Sequence, residues 1–239
     1  MKKPLYSLLG ILPGITAFVG AGGKTSAIFA VCRELRQRGF SVAVTTTTHM
    51  FPPPEEAFGP LLLSPLKDAV RRAARRGICA AGGRVDGRGK LTGISEEGLL
   101  LLQEHFDYVL AEADGSRRLP CKMPGEKEPV IPKEAGAVVG VLGMSALGKP
   151  LKEICFRPEL AAEKLHAPMD SPVTPELLAK MALSPEGLQK GVEGRPFSLL
   201  LNQRELCQKE AAKTARLCKA RLGGAVVTAS LCLGEWEAL

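Results

Sequence analysis

The sequence predicts an α/β fold of three layers, a mostly parallel central sheet with helices on both faces. Three observations predict it. Short apolar runs alternate with helical patterns along the 239 residues, the order that parallel crossover connections need. Hydrophobic residues make up 45% of the chain but aromatics only 5%, so Ala, Val, Leu and Gly must fill the core, as they do in a sheet covered by helices. The first apolar run also passes through glycines straight into a helical pattern, which opens a strand–helix–strand unit.

The elements follow in order. Residues 15–19 read as a buried strand. Lys24–Arg38 reads as a helix with Ala27, Ile28, Val31 and Leu35 at helical spacing, stopped by Gly39. Residues 41–47 form the next strand, and Pro52–Pro54 break the chain. Ser64-Pro65 reads as a cap and first turn of a helix that runs to Arg76 and stops at Gly77. Residues 78–81 are a short strand, 82–93 a hairpin or loop with several turn signals, and Ser95 the cap of another helix. Residues 108–111 are an apolar strand, 117–134 an irregular stretch and 137–142 a buried strand. Residues 150–190 read as a polar helical lid or insertion, followed by a strand over 197–201, a helix over 205–222 and a last strand over 225–229. The whole, 1–239, reads as one domain.

Composition narrows the function classes. A net charge of +7 favours anionic ligands without naming one. The seven cysteines show no Cys-x-x-Cys pair and are odd in number, which argues against a disulfide framework or structural zinc and for reduced thiols in the cytoplasm. The opening MKKPLYSLLGILPGITAFVGA has the outline of a secretory leader, but Pro13 and Gly14 interrupt its apolar run. No other stretch is long and apolar enough to span a membrane. Arg71, Arg72, Arg75 and Arg76 make a basic helix face. Without interleaved aromatics or a known module it reads as a solvated face, not a nucleic-acid surface.

The chemistry concentrates in FVGAGGKTS, residues 18–26. A phosphate needs several backbone N–H groups aimed at one point, a helix N-terminus and a cation. Here Gly20, Ala21, Gly22 and Gly23 supply the curl, Lys24 the charge, and Thr25 a hydroxyl able to meet Mg²⁺, with Ser26 beside it. The spacing is Gly-x-x-Gly-Lys-Thr, two residues shorter than the usual phosphate loop. It resembles the loop of the Mur ligases and folylpolyglutamate synthases, which bind ATP. A plain strand-to-helix turn is the simpler alternative, but strand, loop, lysine, hydroxyl and helix all agree. The fold expected is thus P-loop NTPase-like.

Other candidates lie at neighbouring strand ends. Glu112 and Asp114, two apart, share a face of an extended strand, and buried together they call for a cation. With Thr25 they are the candidate metal ligands, and one of them alternatively caps the next turn. TTTTH, residues 45–49, brings Thr47, Thr48 and His49 to the same sheet edge. His49 is a candidate contact or proton shuttle, although strand propensity alone also accounts for the threonines. Asn202-Gln-Arg-Glu205 stands where GTPases carry Asn-Lys-x-Asp. Asn202 is a candidate base contact, with a plain helix start after a strand as the alternative, and the changed neighbours leave guanine versus adenine open. Arg117 or Arg118 follows the carboxylates within reach of a phosphate.

Taken together, VGAGGKTS, VTTTTHMF, EADGSRRLPCKMPGEKEPVIP, LGKPL and RPE resemble the YqeC family of selenium-dependent hydroxylase accessory proteins, also described as selenium cofactor biosynthesis proteins. The resemblance runs from about residue 15 into the Asn202 region. It implies a role in maturing selenium-containing molybdenum hydroxylases, with the hydroxylase or its cofactor as partner. The expectation is a nucleotide-binding protein using ATP or GTP with Mg²⁺. It either hydrolyses nucleotide to drive insertion, acts as a ligase or kinase on a cofactor precursor, or docks under nucleotide control without turnover.

Overall fold

The computed structural model describes residues 3–239; Met1 and Lys2, part of the leader-like stretch, lie outside the described residues. Nine strands form one sheet. In chain order they are β1 (Gly14–Gly20), β2 (Val42–Thr46), β3 (Leu61–Leu63), β4 (Ile78–Gly82), β5 (Tyr108–Glu112), β6 (Ala135–Gly143), β7 (Phe197–Asn202), β8 (Val226–Ser230) and β9 (Glu235–Ala238). Their order across the sheet is β9-β8-β7-β6-β1-β5-β2-β4-β3. Every neighbouring pair is parallel except β8–β9. Parallel strands are buried on both faces, so β2 and β5 have no exposed residue at all, including the threonines that close β2 and the glutamate that closes β5.

Six longer helices cover the sheet: α1 (Lys24–Gln37), α2 (Lys67–Arg76), α3 (Glu96–His105), α4 (Pro158–Leu165), α5 (Pro175–Leu183) and α6 (Gln208–Lys219). The cover is uneven. On one face α1 stands with the short N-terminal turn Leu5–Leu8, burying Ile28, Val31 and Leu35 against Phe18, Val44 and Leu110. The other five helices share the opposite core with Val19, Val109 and Leu199. Glu34 of α1 pins the N-terminal turn by accepting from Leu5 N–H at 2.9 Å and Tyr6 N–H at 3.0 Å. Three layers with a mostly parallel sheet are thus observed.

Several boundaries differ from the sequence expectation, each for a local reason. Ser95 caps α3 as expected, accepting from Gly98 N–H at 3.1 Å. Ser64 does not cap α2. It takes φ 44° and turns its hydroxyl to Gly83 O at 3.0 Å, and α2 begins only at Lys67. Strands β3 and β9 were not expected. The first is three residues long, and the second is a mostly exposed antiparallel edge, so neither carries a periodic apolar signal. Residues 150–190, expected as a helical lid or insertion, send Leu178, Met181 and Leu188 into the main core. Among the described residues no helix is long and apolar enough to cross a membrane.

Candidate functional site

In parallel strands aligned side by side, all carboxyl ends meet at one edge, and ligands gather there. Register fixes that edge here. Phe18 and Thr46 both pair with Glu112, Gly20 with Val141, and Asn202 with Gly143. A cleft of about 780 Å³ opens above it, lined by Gly22–Ser26, Thr48–Phe51, Arg88, Lys90, Glu112, Gly115–Pro120, Glu128, Ser145, Phe156 and Gln203.

The glycine loop is clamped from below. Gly22 takes φ 77°, and a Cβ there would run into Gly143 N, with Pro120 O only 2.7 Å away. At Gly23, φ 121°, a Cβ would come within 2.5 Å of Asn202 Nδ2. Asn202 donates from that nitrogen to Gly22 O at 2.9 Å, while its Oδ1 accepts from Leu231 N–H at 3.1 Å. Its amide is therefore used at both ends to brace the loop, and Asn202 does not line the cleft; Gln203 does. Glu205, its companion in the motif, also lies off the cleft and accepts from Cys232 Sγ at 3.4 Å. Helix α1 starts at Lys24 with no side-chain cap on Gly23. Its first N–H groups are left without intrahelical partners, facing the cleft.

Lys24 is 3% exposed. Its Nζ donates to Gly20 O at 2.6 Å and lies 3.1 Å from Asp114 Oδ1 and 3.9 Å from Glu112 Oε1. Both carboxylates thus reach the lysine, as strand alternation suggests, but their settings differ. Glu112 opens to the cleft, where its Oε2 accepts from Thr25 Oγ1 at 2.6 Å. Burial raises its carboxyl above the usual range, against the opposing pull of Lys24 and Thr25. Asp114 is fully buried beneath the loop. It accepts from Gly20 N–H at 3.2 and 3.0 Å and pairs with Lys122 Nζ at 3.0 Å.

A hydroxyl and a carboxylate converging at the loop fit a Mg²⁺ held by two protein groups, with water and phosphate oxygens completing an octahedron. Thr25 and Glu112 meet that requirement. Asp114 does not, because both its oxygens already serve the loop amide and two ammonium groups. Of the two carboxylates that the sequence offered to a metal, the geometry favours Glu112, and Asp114 sits as the anchor under the loop.

The threonine run divides similarly. Thr45 donates to Ala81 O at 2.8 Å, Thr46 to Glu112 O at 2.8 Å and Thr47 to Val130 O at 2.7 Å. Thr47 ties the end of β2 to the irregular segment at Val130 and does not line the cleft. Thr48 does, and its Oγ1 is enclosed without a hydrogen-bond partner among the described residues. His49 lines the rim, with its side chain 47% exposed and Nε2 4.0 Å from Asp86 Oδ2. Arg117 lines the cleft next to the loop, its guanidinium 4.9 Å from the centre of the Phe156 ring.

Sequence reasoning missed a buried chain behind the loop. Lys122 is 0% exposed and donates to Gly115 O at 2.7 Å and Glu128 Oε2 at 2.6 Å. Glu128 also accepts from Arg157 Nη1 at 2.7 Å. Burial acts to raise the Glu128 carboxyl, but the hydrogen bonds from Arg157 and Lys122 outweigh it and hold it near about 2. A lysine in an irregular stretch gives no signal of this in sequence.

The family described as YqeC protein matches residues 16–159. An Escherichia coli K12 protein described as uncharacterized protein YqeC is 31% identical over 212 residues, covering 86% of this chain and 82% of its own length. Among solved structures, the 54 kDa signal recognition particle protein of Aeropyrum pernix K1, in complex with GDP, aligns with a TM-score of 0.42 at 16% identity. It covers 95% of this chain, which spans 44% of that one.

Proposed function

We propose, for a chain that belongs to the YqeC family, that it is a cytoplasmic P-loop-type protein. It binds Mg²⁺ with ATP or GTP and works in the maturation of selenium-dependent molybdenum hydroxylases. The observation that carries the nucleotide reading is the meeting of Thr25 Oγ1 and Glu112 Oε2 at 2.6 Å beside an uncapped helix N-terminus and Lys24. Seven free cysteines, five of them buried, support the cytoplasm.

In this reading the amides at the start of α1 and the Lys24 ammonium bind phosphate oxygens. Lys24 must first leave Gly20 O and Asp114. Lys122 remains on Asp114, so the move does not strand a buried carboxylate. Thr25 and Glu112 would hold Mg²⁺, which when bound neutralises charge on the phosphate oxygens. Without the metal, Glu112, with its raised carboxyl, can hold a proton; as a Mg²⁺ ligand it would be deprotonated and orient a hydroxyl or water in the cleft. Arg117 stands ready for a further phosphate oxygen. Asn202 acts on the loop, not on a base, so the adenine–guanine choice falls to other groups.

Two readings of turnover stay together here: hydrolysis that drives handover of selenium or cofactor, and transfer to a cofactor precursor. Phosphate release over many turnovers by the purified protein tests both against a docking module without turnover. A deletion strain tests the pathway. Its hydroxylase is expected at normal abundance but inactive and short of labile selenium. A fully loaded, active hydroxylase would remove the accessory role.

A further inference from the structure

We propose that the part of the cleft beyond β2 and β5 is a second anion site, which takes a small phosphate monoester with a planar or apolar body. The proposal deepens the nucleotide reading by naming a class of second substrate, and it rests on that reading for the role of the site.

The cleft has two sides. The glycine loop follows β1. Ser145 and Gln203 follow β6 and β7 on one side, where Ser145 Oγ donates to Gln203 Oε1 at 2.7 Å. That side is neutral. On the other side, Thr48–Phe51 follow β2, Arg118 follows β5, and Lys90 comes from the hairpin whose Leu91–Thr92 pairs with His49–Met50.

Positive charge is in excess there, with Glu112 acting on Lys90 only through space. Among the described residues, Lys90, Arg117 and Arg118 have no ion pair, whereas the adjacent Arg88 is paired with Asp86 at 2.8 Å. The two carboxylates lining the cleft are engaged elsewhere, Glu112 by Thr25 and Glu128 by Lys122 and Arg157. Unpaired cations converging on a cleft attract an anion.

The groups are also held in place. Arg118 Cζ lies 4.9 Å and Lys90 Nζ 5.1 Å from the centre of the Phe51 ring, so one ring carries both cations. Phe51 itself is 47% exposed on the cleft wall. Arg117 and Arg118 both adopt positive φ, 50° and 64°, a conformation that side-chain-bearing residues rarely take and that clusters at binding sites. Thr48 adds an enclosed hydroxyl with no hydrogen-bond partner among the described residues.

A guanidinium, an ammonium and a hydroxyl donor match the three terminal oxygens and double charge of a phosphate monoester. The exposed Phe51 face suits the body attached to it. A lone carboxylate would leave much of this donor set unused.

Phenyl phosphate is the probe, titrated calorimetrically into the full chain and into the double variant Lys90→Gln/Arg118→Gln. MgATP is titrated into the same two proteins. Both side chains lie at the surface or half-buried, and thermal melting verifies that the variant folds. The expected result is phenyl phosphate binding weakened at least about tenfold, roughly 1.4 kcal/mol, with MgATP affinity weakened by a clearly smaller factor. Failure of the wild type to bind phenyl phosphate would overturn the proposal, as would equal binding by the variant or a parallel loss of both ligands. If MgATP does not bind the wild type, the nucleotide reading fails separately, and the phenyl phosphate comparison still decides the anion site.

Discussion

The two sides of the glycine loop are built from the same residue types to opposite ends. Above it, Thr25 and Glu112 meet at the cleft with capacity left over. Below it, Asp114 is closed in by Gly20 N–H, Lys24 and Lys122, and Lys122 is closed in turn by Glu128. Glu112 and Asp114 stand only two residues apart, yet one can receive a ligand and the other fixes the loop that receives it. The difference is strand length. Strand β5 ends at Glu112, so its side chain emerges at the edge, while Asp114 turns under the loop. Saturated charges beneath a binding loop hold its shape, and unsaturated donors above it bind.

The largest effect belongs below. Lys122→Met would leave the buried Asp114 and the half-buried Glu128 with one cation fewer. The loss expected in urea denaturation is about 3–5 kcal/mol, and a change under about 1 kcal/mol would remove the distinction between the two sides. Lys24→Ala should cost about 1.5–3 kcal/mol in nucleotide affinity, from loss of a charge-assisted contact. The fold should persist because Lys122 still faces Asp114, and unchanged affinity in calorimetry would contradict the phosphate reading.

Asn202→Ala removes a brace, not a base contact. It should weaken ATP and GTP equally, by about 0.5–1.5 kcal/mol, and a selective loss of one base would restore the base-contact role. The smallest effect is in acid. Glu128 is held near about 2 against an ordinary 4.5, so its contribution to stability is present above pH 4.5 and lost as pH falls toward 2. Glu128→Gln should flatten stability in that window, and a wild-type slope retained in the variant would place the acid sensitivity in another group.

Much of this was legible in the chain. The glycine loop, the β1–α1 start, the Ser95 cap and the strand expected over 108–111 follow from local spacing and turn chemistry. What was not legible depends on partners far apart in sequence. Asn202 meets Gly22, Thr47 meets Val130, and Lys90 reaches the cleft through a hairpin whose register no periodicity specifies. Ser64 had the look of a cap, but the strand that ends at Leu63, immediately before it, took the chain elsewhere.

The central claim is that the upper side of the loop takes a nucleotide with Mg²⁺ through Thr25 and Glu112. It is tested most directly by titrating ATP and GTP into the wild type and Glu112→Gln, with and without Mg²⁺. The account predicts wild-type binding strengthened by Mg²⁺, that strengthening lost in Glu112→Gln, and unfolding stability of the variant no lower than wild type, because a desolvated carboxylate is gone. Binding of equal strength with and without Mg²⁺ in the wild type, or no nucleotide binding at all, would contradict it.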